Sequence, residues 1–453
     1  MKKATFTEKL GYGIASLGDA ISYGFVGTFF MFFLTTIVNI PPAVAGTLIA
    51  VGSIWDAVIN PIVGYLADRV RTRFGRRRPL IFFFSIFIAL TLFLMFTNID
   101  MPDIVKPVYY GIMLMLFWVS FTGFFVPYFA LGVDYASDYD ERTSIRSFAF
   151  FFNMVGNLFC MVMPTVIVEF LEIHGLTPSQ AWSATGGFLS VISFISILVT
   201  VIASKKRDLP CEKAPKPEKK QRSARIIIAI FREYIDIARI RPMKYLIVAS
   251  LMSLITYTMV MSDMLYFFTY NLHLTSVQIS ICLFGRSFLG IVFIPIVGKL
   301  SAFSDKRMAL ILCYIAGIIG MIAIKFAGIQ GFTGALVYII FVTLCTAIYW
   351  QIMPAIFYDI CDYDTVTSGK KREATILSFQ GLVEAFAVGI GGQILGLILQ
   401  IAGFDGEGAV QADVTLQWIE NSATVLPMIS LAAAAFALYK YPLRRKDSSV
   451  PFS

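Results

Sequence analysis

Three acidic side chains sit where a carboxylate is costly. Asp56 lies about fourteen residues into the apolar stretch that ends in IWDAVINPIVGYLADR, and Asp19 and Glu384 lie about eleven residues into apolar stretches of their own. A helix rises about 1.5 Å per residue, so all three fall near half the depth of a bilayer. A charge there costs at least ~2.5–3.5 kcal/mol and is kept to handle an ion, a proton or a polar solute. Asn60 follows Asp56 by about one helical turn and shares its face. Pro61 has no N–H and leaves the Ala57 carbonyl without its helical donor. Carboxylate, amide and carbonyl oxygens together suit a proton or a small cation. The plainer reading, a carboxylate kept neutral by a neighbouring helix, stays open beside this one, most of all for Asp19 and Glu384.

Other polar groups fall at comparable depths. Asp263 and Arg286 come at similar distances from the outer side, and a buried ion pair is the simplest reading of them; contact with a solute is the alternative. Trp350, Gln351 and Gln380 lie in the inner parts of their stretches and suit stacking on a sugar ring and bonding its hydroxyls, although a lone aromatic is more often packing. At the cytoplasmic ends stand three charged clusters: Asp68, Arg69 and Arg77; DYDERT, with Asp140, Glu141 and Arg142; and DICDYD with KKRE, giving Asp359, Asp362 and Arg372. Because both halves of the chain carry such a cluster, a latch that closes the inner side in one state is expected. A solvated surface is the alternative.

The elements that must position these residues follow from composition. Of 453 residues 57% are apolar and 15% charged, against about 25% charged in a soluble domain. Twelve apolar segments are long enough to cross a bilayer. They lie near 11–38, 43–66, 79–98, 106–132, 144–171, 180–203, 243–271, 275–301, 307–327, 332–358, 373–402 and 421–441. The first has no cleavage site and reads as a span, not a removable signal. Of 37 Lys and Arg only Lys106 and Lys325 fall at ends placed outside, so the net charge of +8 reports topology and argues against nucleic acid. The expectation is a multi-pass protein of the cytoplasmic (inner) membrane with both termini cytoplasmic. Six scattered cysteines and two separated histidines, His174 and His273, offer no metal cluster and no nucleophile–base pair, which argues against an enzyme.

The chain repeats itself. NPIVGYLADR, with Pro61 and Gly64, recurs as IPIVGKLSAF, with Pro295 and Gly298, and VPYFALGVDY loosely echoes MPAIFYDICDY. Two related sets of six spans are the duplication seen in secondary transporters. The expected fold is all-α, twelve transmembrane helices in two pseudo-symmetric six-helix bundles, over residues 1–203 and 243–453. Residues 204–242 would form a cytoplasmic linker, rich in Lys, Pro and Glu, with a short interfacial helix showing Ile226, Ile227, Ile230, Tyr234 and Ile237 on one face. A regulatory partner site on that linker is a lesser alternative.

KLGYG, IWDAVINP, GYLADRVRTRFGRRRP, DYDERT and GKKREATILSF, in this order, resemble landmarks of the glycoside–pentoside–hexuronide cation symporters of the major facilitator superfamily. The resemblance runs almost end to end. It implies inward symport of a glycoside with Na⁺, Li⁺ or H⁺ by alternating access. It implies Asp56 as a cation-site carboxylate and Thr122 as the helix-four threonine of that site. Trp350 and Gln380 match positions lining the sugar, Asp359 and Asp362 the charged end of helix ten, and Tyr128 joins Asp19, Gln351 and Glu384 as an expected substrate contact. Departures from the family pattern are also plain. Asn60 stands where a second cation-site Asp is usual, Ile59 where an Asn is, and Phe125 where a sugar-binding Asp or Asn is; Ala149, Phe150 and Ala385 replace basic positions, and Asp19 sits one residue early.

Losing one carboxylate weakens a site for a hard cation more than one for a proton, so H⁺ is expected over Na⁺ as the coupling ion. No other cofactor is expected, and the protein is expected to act as a monomer in the lipid bilayer. A more apolar cavity leaves open an amphipathic solute such as a lysolipid or an aglycone. A non-transporting membrane sensor is the reading from another class.

Overall fold

The computed structural model describes residues 5–67, 72, 74–135, 139–206, 232, 234–328, 330–368, 373–406, 408 and 410–443. Among them twelve helices are long and apolar enough to cross a membrane, and no β-strand forms. The spans are α1 (Phe6–Ile37), α2 (Pro42–Asn60), α3 (Arg78–Met95), α4 (Val105–Gly132), α5 (Ser147–Ile173) and α6 (Pro178–Ala203). Then follow α7 (Arg241–Asn271), α8 (Ser276–Ser301), α9 (Lys306–Ala327), α10 (Gly331–Ser368), α11 (Phe379–Ile401) and α12 (Asp413–Lys440). The twelve expected segments are recovered. The largest differences are α10, whose helix runs ten residues beyond the expected 358, and α12, which starts at Asp413 and is broken at Thr424.

Local sequence explains where several helices begin. Thr5 with Glu8, and Thr177 with Gln180, form capping boxes in which each side chain bonds the other residue's backbone N–H. The same pairing joins Thr275 and Gln278 at the start of α8. The C-terminal ends of α1 and α7 share an irregularity that sequence periodicity does not show. Phe33–Ile37 and Phe267–Asn271 are wound as π-helix, and each is followed by a left-handed residue, Asn39 (φ 61°) or His273 (φ 50°). Asn39 and His273 are separated by the same interval as Pro61 and Pro295, so the sequence repeat is also a repeat of shape.

The described chain forms two compact units. The first is built on α1–α6 and takes in Thr275–Phe284 and Gly403–Val410; the second holds the remainder of α7–α12. In the first unit, small residues bring α1 hard against α5 and α6. A Cβ at Gly156 would stand 2.6 Å from the Leu17 carbonyl, and one at Gly18 would stand 2.7 Å from the Ser193 carbonyl. Close backbone approach of this kind is how helices pack in lipid, where apolar burial offers little net gain between helices. In the second unit, hydroxyl pairs add to the packing: Thr256 with Ser430 at 2.6 Å ties α7 to α12, and Ser253 with Tyr314 at 2.7 Å ties α7 to α9.

Part of the linker is visible. Residues 234–238 are helical, Ile237 is buried, and the Tyr234 ring meets that of Phe379 edge-on at 5.4 Å. Ile226, Ile227 and Ile230 lie outside the described residues.

Candidate functional site

The first unit holds a compact polar cluster on α2 and α4. Thr122 Oγ1 donates to Asp56 Oδ1 at 2.8 Å, and Asn60 Nδ2 donates to the same oxygen at 3.1 Å. The Asn60 amide also donates to the Asp56 backbone carbonyl at 3.0 Å, a bond made possible by their i, i+4 spacing. Both side-chain donors therefore converge on Oδ1, while no donor among the described residues bonds Oδ2. The Asn60 amide oxygen, an acceptor, is likewise left over. No cationic side chain neutralises Asp56 among the described residues. The arrangement presents one half-satisfied carboxylate and one amide oxygen to whatever binds there.

A second polar ladder joins α1 to α5. Asn153 Nδ2 donates to Asp19 Oδ2 at 3.3 Å, and Asn157 Nδ2 donates to Asn153 Oδ1 at 2.9 Å. The close helix approach at Gly156 and Gly18 holds this register. Sequence reasoning overlooked both asparagines. Their signal was two amides four apart inside an otherwise apolar span, where polar groups are expensive.

Beside Thr122, α4 carries aromatic rings at every fourth position. Phe121 stacks on Phe125 at 6.0 Å, Phe125 meets Phe129 at 6.1 Å, and Phe125 and Phe129 are 36% and 47% exposed. Tyr128 is placed differently from the expectation. It is 1% exposed, its ring stacks on Tyr12 at 4.8 Å, and its hydroxyl is shared between Ser16 Oγ (2.7 Å) and the Tyr12 carbonyl (3.1 Å). With these bonds Tyr128 fastens α1 to α4.

In the second unit, Gln380 Nε2 donates to Glu384 Oε1 at 3.0 Å along α11. Trp350 is 45% exposed and stands edge-on to Tyr257 (5.8 Å) and Tyr349 (5.4 Å), so its ring is held from behind while one side stays open. Gln351 Nε2 donates to the Ile294 carbonyl at 2.9 Å, next to Pro295. The expected Asp263–Arg286 ion pair does not form. Asp263 is fully buried and makes no ion pair among the described residues, and Arg286 lies instead over the Tyr257 ring at 5.8 Å.

The expected latch is only partly in view. Asp68, Arg69 and Arg372, together with the side chains of Asp140, Glu141, Arg142 and Asp362, lie outside what the structure describes. Arg77 is buried at the start of the α3 helix. Asp359 accepts both available bonds from Lys306 Nζ, at 2.7 and 2.8 Å, within its own unit.

Twelve spanning helices in two units, with isolated carboxylates and amides inside the spans, define a membrane transporter and not an enzyme. The chain belongs to the family described as MFS/sugar transport protein, whose profile matches residues 11–445. It is 27% identical to the uncharacterized symporter YnaJ of Bacillus subtilis (strain 168), covering 98% of this chain and 94% of that one. It is 23% identical to the isoprimeverose transporter of Lactiplantibacillus pentosus, covering 96% and 88%. Among solved structures, the nucleoside transporter NupG superposes with a TM-score of 0.69 at 15% identity, covering 96% of this chain and all of NupG, which shows the fold alone.

Proposed function

We propose that this protein is a cation-coupled symporter of a glycoside, working by alternating access, with Asp56 binding the coupling ion and Asn60 and Thr122 assisting. The observation that carries the reading is the distribution of donors on Asp56 among the described residues: two on Oδ1 and none on Oδ2. A proton needs only that one free oxygen. A hard cation such as Na⁺ needs several oxygens, and Oδ2 with the Asn60 amide oxygen supplies few. The coupling ion is accordingly H⁺, with no further cofactor. Membership of a sugar-transport family and the similarity to an isoprimeverose transporter favour a sugar as solute. Within the second unit, the open face of Trp350 and the Gln380–Glu384 pair offer the stacking and hydroxyl partners such a ring requires; within the first, the Asp19–Asn153 pair offers hydroxyl partners of its own. The protein would act in the inner membrane with both termini cytoplasmic, and the cytoplasmic charge clusters would serve as its inner gate.

The exposed Phe125 and Phe129 favour a second reading, in which the solute carries an apolar portion such as an aglycone or a lipid chain. Uptake of labelled glycosides into proteoliposomes, with imposed H⁺ or Na⁺ gradients, tests the proposal. Accumulation driven by a proton gradient in sodium-free buffer supports it; accumulation that needs Na⁺ and ignores the proton gradient contradicts the choice of ion.

A further inference from the structure

Asn153 and Asn157 are two amides inside α5, and Asn157 is the eleventh residue of that span, about 15 Å along the helix. Successive residues turn by about 100°, so the two amides share one side of α5. Phe151 and Val155, 61% and 38% exposed, fall on nearly the opposite side. The side of the helix suited to lipid is therefore the apolar one. The amides turn toward α1, a span mostly buried within its unit, and meet it at Asp19.

Hydrogen bonds fix which way each amide points. Asn157 Nδ2 donates to the Asn153 backbone carbonyl at 3.0 Å and to Asn153 Oδ1 at 2.9 Å, and Asn153 Nδ2 donates to Asp19 Oδ2 at 3.3 Å. Turning Asn153 over would set its oxygen against the Asp19 carboxylate and its N–H groups against those of Asn157, so the ladder keeps one direction. An amide nitrogen carries two hydrogens, and an amide oxygen accepts. One Asn153 N–H and the Asn157 Oδ1 are thus left with no bond among the described residues. Both side chains are half-buried. A Cβ at Gly24 on α1 would stand 3.7 Å from Asn157 Oδ1, and the glycine keeps the approach to that oxygen clear. Fastening α1 to α5 does not require these groups. The close backbone approach at Gly156 already does so, and apolar side chains would pack there without leaving a donor and an acceptor over.

We infer that Asn153 and Asn157 form an oriented hydroxyl-reading site, in which the remaining Asn153 N–H donates to one hydroxyl of the solute and Asn157 Oδ1 accepts from a second. The solute is then a ring that turns at least two hydroxyls toward α5. The inference rests on the glycoside reading and adds which residues read the ring and in which direction each bond runs.

Probes with one hydroxyl replaced test it. The purified full-length protein is titrated calorimetrically with the methyl glycosides of glucose, galactose and xylose, and with derivatives of each carrying hydrogen or fluorine in place of one hydroxyl. Fluorine accepts a hydrogen bond weakly and cannot donate one. A neutral hydrogen bond contributes roughly 2–12-fold in affinity. For a parent that binds, hydrogen at the hydroxyl met by Asn153 should lose about that factor and fluorine less. At the hydroxyl met by Asn157, hydrogen and fluorine should lose it alike. Asn157→Leu should bind the parent and the derivatives of this second position equally, and Asn153→Leu should do so for the first.

Native protein that binds a parent but shows no such pair of positions overturns the inference and leaves the glycoside reading standing, whether or not either variant folds. A pattern that survives in Asn157→Leu overturns it too. So does an equal loss for the parent and every derivative in a folded variant, which would make the amides a fastening between α1 and α5. Folded native protein that binds none of the three parents overturns both readings together.

Discussion

The two units treat their buried charges in opposite ways. In the first, the acid Asp56 is met among the described residues by two neutral donors, Thr122 and Asn60. In the second, Arg286 and Asp263 form no ion pair among the described residues, and Arg286 lies over the Tyr257 ring. Neutral donors hold a carboxylate in place without cancelling its appetite for a positive ion. On the proposed reading, one scaffold was duplicated and its two copies divided the polar work, with the coupling ion held in the first.

The largest test of that division is Asp56→Asn. A neutral amide imitates the proton-loaded state, so uphill uptake should fall to background while solute counterflow in the absence of a gradient persists. Loss of both would make Asp56 structural. Asn60→Asp restores a second carboxylate one turn away and should bring stimulation by Na⁺ that the native protein lacks, read as uptake against sodium concentration at fixed pH; no sodium response would mean that ligand number does not set the ion. Thr122→Val removes one of the two donors on Oδ1, a bond to a charged group of about 1.5–3 kcal/mol, and should lower coupled uptake several-fold while Thr122→Ser retains it. The smallest effect is expected at Asp263→Asn. Replacing a carboxyl that makes no ion pair among the described residues by an amide of the same shape should leave uptake near the native level and stability within about 1 kcal/mol, read by thermal unfolding in detergent. A large loss there would mean that the second unit carries a coupling charge as well.

Much of this was legible in the sequence because lipid makes polar residues conspicuous. Twelve apolar runs, the Pro61/Pro295 repeat and Asp56 with Asn60 needed only length, spacing and the cost of a buried charge. Thr122 came from resemblance to a family and not from spacing, since it lies on another helix, and the 2.8 Å bond to Asp56 joins residues 66 apart. What stayed hidden depends on helix rotation and on local winding. Tyr128 sits in a motif associated with the site, yet its rotation sends the hydroxyl to Ser16 and Tyr12. Asp263 and Arg286 have matching depths, and depth alone cannot show that their side chains point apart. The π-helical ends of α1 and α7 leave no periodicity to read, because Phe33–Ile37 and Phe267–Asn271 are each only five residues long.

The central claim is that a proton bound at Asp56 moves with the solute. Proteoliposomes loaded with a pH-sensitive dye, in sodium-free buffer, should acidify inside when the transported glycoside is added outside, and Asp56→Asn should abolish the signal without abolishing counterflow. Acidification that persists in Asp56→Asn, or uptake with no proton movement at all, would contradict the account.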